Sequence, residues 1–176
     1  MATAIYDGAD AVMLSAESAT GQYPVEAVSM MDRIIRSVEG HKLYHSIVAA
    51  SDPGEEETPP PAVATATAVL AEALHAKAIV TDTSSGTTAA RVARKRPELP
   101  ILALTPNLAT ARRLCLLWGA HSVQVEDVNS YEEMTAKAAH YAQAEEFGRP
   151  NDYIVVAAGI PSHTTGNTNN IRVLQI

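Results

Sequence analysis

Short apolar or β-branched runs alternate with segments of helical period through the last two thirds of the chain. AIVT (Ala78 to Thr81), ILAL (Ile101 to Leu104), HSVQV (His121 to Val125) and IVVAA (Ile154 to Ala158) have the length and side chains of strands. Between them lie segments that read as helices. Val63, Leu70 and Leu74 mark one face of an Ala-rich helix beginning near Ala62, and a second helix spans Thr87 to Arg96 and stops at Pro97. A third helix comes after Pro106 and Asn107, carries Leu108, Leu114 and Leu117, and ends where Gly119 can turn left-handed. Ser130 and Glu133 have the spacing of a capping box before a fourth helix, which runs to about Phe147 and stops at Gly148. Strands joined by single helices imply an α/β fold with a mainly parallel five-stranded sheet flanked by helices. The last strand, IRVLQI (Ile171 to Ile176), comes after a loop without a helix and is expected to run antiparallel.

The first third is patterned differently. DAVMLS (Asp10 to Ser15) is a short apolar run that predicts a buried parallel strand, and the polar stretch SAESATGQ leads out of it. Next comes a helix from Pro24 to about Glu39, with Val28, Met31, Ile35 and Val38 on one face and Glu26 near its positive end. DPGEEETPPP (Asp52 to Pro61) has no periodic apolar residue and joins Glu55, Glu56 and Glu57 to consecutive prolines, so it predicts a linker. The expected division is therefore 1–51, a linker at 52–61, and an α/β domain at 62–176.

Composition narrows the function more than the fold. A chain of 176 residues suffices for one α/β domain and a short extra piece, and is too short for a complete barrel-type kinase. Hydrophobic residues make up 47% and charged residues 19%, with no apolar run approaching the roughly 20 residues of a membrane span. A net charge of -7 disfavours non-specific attraction to nucleic acid or anionic membranes, so an anionic ligand has to be held by local donors. The lone Cys115 permits no intramolecular disulfide, and the N-terminus lacks the pattern of a signal peptide, so a cytoplasmic location is expected.

Two loops carry candidate chemistry. After the strand at Ala78, Thr83, Ser84 and Ser85 gather beside Gly86, and a helix opens at Thr87 and Thr88. Hydroxyls and unpaired helix N–H groups at one point make an anion pocket, or else a self-capped helix. The loop lacks the GxxxxGK[ST] pattern of a Walker A site. The second loop, GIPSHTTGNTNN (Gly159 to Asn170), comes after IVVAA. In a parallel sheet both loops leave the carboxyl ends of strands, so they can enclose one polar ligand. The basic run Arg91, Arg94, Lys95 and Arg96 reads as a solvated face near a helix C-terminus, Cys115 as a buried structural thiol, and Trp118 as core or an interface anchor. No histidine stands in a zinc-ligand pattern, and GxSxG and GxGxxG are missing.

The residues of three segments resemble those of the pyruvate kinases. DGADAVMLSAESATGQYPVEAV (Asp7 to Val28) resembles the segment that forms that family's last barrel strand and helix. SSGTTAARVARKRPELPILALTPNLATARRLCLLWGA (Ser84 to Ala120) is similar to its effector-domain phosphate loop with the next strand and helix, and GIPSHTTGNTNNIRV to its ending GxPxGxxGxTNxxRV. The resemblance implies a remnant of a (β/α)8 barrel and, after it, the C-terminal effector and assembly domain. It implies a parent enzyme that transfers a phosphoryl group from phosphoenolpyruvate to ADP with Mg2+ and K+, and a parent homotetramer that binds a sugar-phosphate or nucleotide effector. It also implies that the catalytic lysine, the substrate-binding arginines and the acidic magnesium ligands belong to earlier strands, so that the catalytic set is incomplete here. Ser15 and Glu17 match positions at the rim of the active site. Thr83, Ser84, Ser85, Gly86, Thr87 and Thr88 match the effector phosphate loop, and Gly159, Gly166, Thr168 and Asn169 match the loop that closes over it. His163 stands where the family often has Gly, and its imidazole either takes space from an effector's sugar or contacts its phosphate. No metal ligand is assigned to this chain.

Overall fold

β1 (Ala78–Asp82), β2 (Ile101–Thr105) and β4 (Tyr153–Ala158) are almost wholly buried, and their side chains divide between two faces as the pleat requires. The computed structural model describes residues 1–50, 58–128, 130–161 and 167–176, and the chain separates into two compact units, Met1–Gly54 and Glu55–Ile176. The second unit holds one five-stranded sheet. With β3 (Ala120–Gln124) and β5 (Asn170–Gln175), the strand order is β3-β2-β1-β4-β5, parallel except for β5, which pairs antiparallel with β4.

The helices cover both faces. On one, Ile79, Ile101 and Val155 pack against Ala64 and Ala71 of α5 (Pro59–Ala73) and Val92 and Ala93 of α6 (Thr87–Arg94). On the other, Val80, Leu102 and Val156 pack against Met134, Ala138 and Ala142 of α8 (Tyr131–Ala144). α7 (Leu108–Leu114) packs beside β2 and β3, placing Leu114 against Ala89 and Ala103. The antiparallel last strand results from the short return after β4, which leaves no length for a crossover helix.

Several expectations are corrected in detail. α5 begins at Pro59, inside the expected linker, because proline fits the first helical turn, where no N–H bond is lost. Its buried stripe is Ala64, Thr67, Ala68 and Ala71. Val63 and Leu70 are half-buried and Leu74 is exposed, since the small residues let the helix lie close to the sheet and the larger ones flank that contact. α6 ends at Arg94, and Arg96 turns back with φ 48°. Its guanidinium lies 4.8 Å over the half-buried Trp118 ring, so the basic run is not all a solvated face. α7 ends at Leu114, which puts Cys115 at its C-terminal cap with an exposed side chain instead of in the core, and Leu108 at its first position is also exposed. Gly119 adopts the expected left-handed φ, 67°. Ser130 caps α8 by accepting a hydrogen bond from the Glu133 N–H at 3.1 Å, while the Glu133 carboxylate lies 3.2 Å from Lys137.

The first unit is helical among its described residues: α1 (Ala2–Tyr6), α2 (Ala16–Ala19), α3 (Pro24–Glu39) and α4 (Tyr44–Ala50). Asp10 to Ser15 forms no strand, contrary to the expectation from its apolar run. A parallel strand needs a neighbour for its N–H and C=O groups, and this unit provides none among its described residues. Met13 is instead exposed, while Val12 joins Tyr6, Ile34 and Ile35 around a small core of Ile5, Val38, Tyr44 and Val48. Met31 and Val38 of the expected α3 face are buried, Ile35 is half-buried, and Val28 is exposed. Among the described residues, no helix is long and apolar enough to cross a membrane.

Leu102 has no exposed surface and lies in β2 under α8. Leu102→Ala should lower unfolding stability by about 2–5 kcal/mol, because surrounding strands cannot close over the cavity. Urea denaturation measures it, and a loss below about 1 kcal/mol would mean that this core is loosely packed.

Candidate functional site

The reversal of strand order fixes where a ligand can enter. From β1 the chain passes through α6 to β2 and on to β3, and then returns through α8 to β4 on the other side of β1. The loops leaving β1 and β4 therefore part in opposite directions and open a crevice at their carboxyl ends. These are the two loops singled out by composition.

The first loop is held from both sides. Thr83 Oγ1 accepts the Gly86 N–H at 2.9 Å, Ser85 Oγ and Thr87 Oγ1 share a hydrogen bond of 2.8 Å, and the Thr87 N–H reaches Ser85 Oγ at 3.4 Å. Gly86 has φ 87°, and a Cβ there would meet Leu114 Cδ2 at 3.1 Å, so both backbone and packing favour glycine. From α7, Thr110 Oγ1 donates to the Ser84 carbonyl at 3.0 Å and the Arg113 guanidinium donates to the Ser85 carbonyl. Sequence reading missed these two supports, although their spacing of three on α7 puts them on one face.

Among the described residues, a side-chain hydrogen bond joins the second loop to the first. Thr88 Oγ1 and Thr168 Oγ1 lie 2.8 Å apart, both buried, and join segments 80 residues apart in sequence. Asn169 shapes the approach: its Oδ1 accepts the Ile160 N–H at 2.8 Å and its Nδ2 donates to the Ile160 carbonyl at 2.6 Å. Gly159 passes so close to Asn167 that a Cβ would stand 2.2 Å from its carbonyl oxygen, which excludes any side chain. His163 and Gly166 lie outside the described residues. In β1 the fully buried hydroxyl of Thr81 has no hydrogen-bond partner among the described residues.

Ser15 and Glu17 belong to the first unit. Both are exposed at the start of α2, where a Glu17 carboxylate oxygen accepts the Ser15 N–H at 3.0 Å. The N–H groups of Glu17 itself and of Ser15 hold this carboxyl below its usual pKa.

Residues 61–174 match the family model described as "Pyruvate kinase, alpha/beta domain". The chain belongs to the pyruvate kinase family. Residues 1–28 match "Pyruvate kinase, barrel domain", a span that includes Ser15 and Glu17, so the chain corresponds to the C-terminal portion of a pyruvate kinase. It is similar to a pyruvate kinase of Agrobacterium vitis, 54% identical over 176 residues, covering 100% of this chain and 36% of that protein. A pyruvate kinase of Methylorubrum extorquens is 44% identical over 98% of the chain and 36% of the relative, and one of Geobacillus stearothermophilus 40% identical over 98% and 30%. The chain thus spans about a third of the length of these pyruvate kinases.

The hydroxyl pair linking the two loops can be tested by a double-mutant cycle. Thr88→Val or Thr168→Val alone leaves the other hydroxyl buried without its partner and should cost about 1–3 kcal/mol. The double variant should cost less than the sum of the two, because it removes both polar groups. Strict additivity in chemical denaturation would show that the two loops are not coupled through this bond.

Proposed function

We propose that this chain is the effector-binding and subunit-assembly portion of a cytoplasmic pyruvate kinase. Its parent enzyme would transfer a phosphoryl group from phosphoenolpyruvate to ADP in glycolysis. The observation that carries the effector reading is the crevice between β1 and β4, where Thr83 to Thr88 and the segment through Thr168 converge and are joined by the Thr88–Thr168 bond. A sugar-phosphate or nucleotide effector would place its phosphate at the start of α6. There the hydroxyls of Ser85 and Thr87 would exchange their mutual bond for bonds to phosphate oxygens, with the helix dipole favouring the added charge. Charge-assisted bonds of this kind contribute on the order of 1.5–3 kcal/mol each. The parent is expected to be a homotetramer.

Mg2+ and K+ are expected of the parent reaction. Among the described residues no three His, Cys, Asp or Glu side chains converge, and the Glu17 carboxylate is exposed and accepts a backbone N–H. Phosphoryl transfer depends on several charged groups held in line with the phosphate. Ser15 and Glu17, the positions that the resemblance carries over, are expected at the rim of the parent active site and not among those groups. The 176-residue polypeptide is therefore expected to show no turnover of phosphoenolpyruvate with ADP, Mg2+ and K+ in a lactate dehydrogenase-coupled assay. Activity above a heat-inactivated control would refute this.

The internal bonds of the Thr83 to Thr88 loop also support a second reading, in which the loop only caps α6 and the domain serves subunit contact alone. Calorimetric titration of fructose 1,6-bisphosphate, ribose 5-phosphate, glucose 6-phosphate and AMP separates the two. At least one should bind the wild type and lose at least tenfold in affinity to Ser85→Asp, whose carboxylate would repel the phosphate. If none binds, or if one binds both forms equally, the capping reading stands.

A further inference from the structure

A groove of about 410 Å³ opens between α6 and α7, lined at one end by Ser85, Thr87 and Arg113 and along its wall by Leu114, Leu116 and Leu117. That volume falls in the range of small-molecule sites. We infer that this groove, which shares Ser85 and Thr87 with the proposed phosphate position, takes a small amphipathic anion with one acidic head beside an apolar body.

Three features of the groove agree on this chemistry. Leu116 is 67% exposed and Leu117 is half-buried, so the wall offers apolar surface that a ligand would remove from water. Among the described residues that line it, Ala90, Leu114, Leu116 and Leu117 offer no polar side chain to sugar hydroxyls or the polar edge of a nucleobase, and burying such groups against them is unfavourable. The polar end is cationic. Arg113 is exposed and donates to the Ser85 carbonyl, a contact that fixes the guanidinium beside the loop and uses part of its five-donor capacity. The start of α6 adds the positive end of its dipole.

Charge along the chain favours the same occupant. Residues 83–125 contain six of the thirteen Lys and Arg (Arg91, Arg94, Lys95, Arg96, Arg112 and Arg113) but one of the twenty Asp and Glu, Glu98. In a chain of net charge -7, this segment carries the excess of positive charge, and Arg113 brings one of its cations to the groove itself. The site shares Ser85 and Thr87 with the proposed phosphate position. From that end it runs along α7, whereas the crevice closes on Thr88 through Thr168.

Octanoate is a suitable probe, with 1-octanol as the same body without charge and inorganic phosphate as charge without the body. Titrated into the 176-residue chain, octanoate should shift the NMR methyl signals of Leu114, Leu116 and Leu117 and bind at least tenfold more tightly than either comparator. Leu116→Asp and Arg113→Gln should each weaken octanoate at least tenfold. Leu116→Asp, at an exposed position, should keep the wild-type thermal midpoint, so the result does not depend on how the loop tolerates loss of the arginine. The inference is overturned if octanoate fails to saturate by about 1 mM, shifts methyls elsewhere, is matched by 1-octanol, or binds Leu116→Asp like the wild type. The effector reading is tested by the sugar-phosphate titration with Ser85→Asp, which does not depend on octanoate, so failure here leaves that reading intact.

Discussion

The burial of β1 on both faces is the constraint on which the rest of the second unit depends. Ile79 and Val80 are adjacent, point to opposite sides, and have no exposed surface, so each needs its own helical cover. α5 and α6 supply one layer and α8 the other. Because β1 is the middle strand, with β2 on one side and β4 on the other, the chain has to reverse its direction of travel across the sheet beside it. The crevice at the carboxyl ends of β1 and β4 is a geometric consequence of that reversal and would exist whatever side chains lined it.

What those side chains add is attachment. The Thr83 to Thr88 loop is fastened to α7 through its Ser84 and Ser85 carbonyls and to the segment after β4 through Thr88. The hydroxyls of Thr83, Ser85 and Thr87 bond within the loop, so the proposed phosphate would substitute for existing bonds there instead of filling vacant ones. A site built this way binds by exchange, and its affinity depends on the difference between two sets of hydrogen bonds. The same fastening makes the loop a shared wall: a ligand in the α6–α7 groove and one in the crevice would each meet backbone that the other contacts.

The first unit contrasts with this arrangement. Its core is four buried residues from three short or medium helices, and its apolar segment at Val12 to Leu14 finds no ladder. An apolar run is a strand only where a neighbouring strand exists, and that condition is not written in the run itself.

Periodicity in the sequence determined the order and type of the sheet elements, because a buried parallel strand and its covering helix each impose a distinct spacing of apolar residues. It also determined the antiparallel last strand, the turn at Gly119, the cap at Ser130 and the two polar loops, since these depend on residues near one another along the chain. Family membership was legible in the same local way, in DGADAVMLSAESATGQYPVEAV and GIPSHTTGNTNNIRV. Tertiary structure alone decided contacts between distant residues and the use made of each helix face. It brought Thr88 to Thr168, set Thr110 and Arg113 under the loop, folded Arg96 over Trp118, and turned Cys115 outward. It also chose the alanine stripe of α5 over Val63, Leu70 and Leu74 as the buried face. The reason is physical: a hydroxyl or guanidinium has many possible partners along a chain, and only the packing of the two helix layers against β1 selects among them.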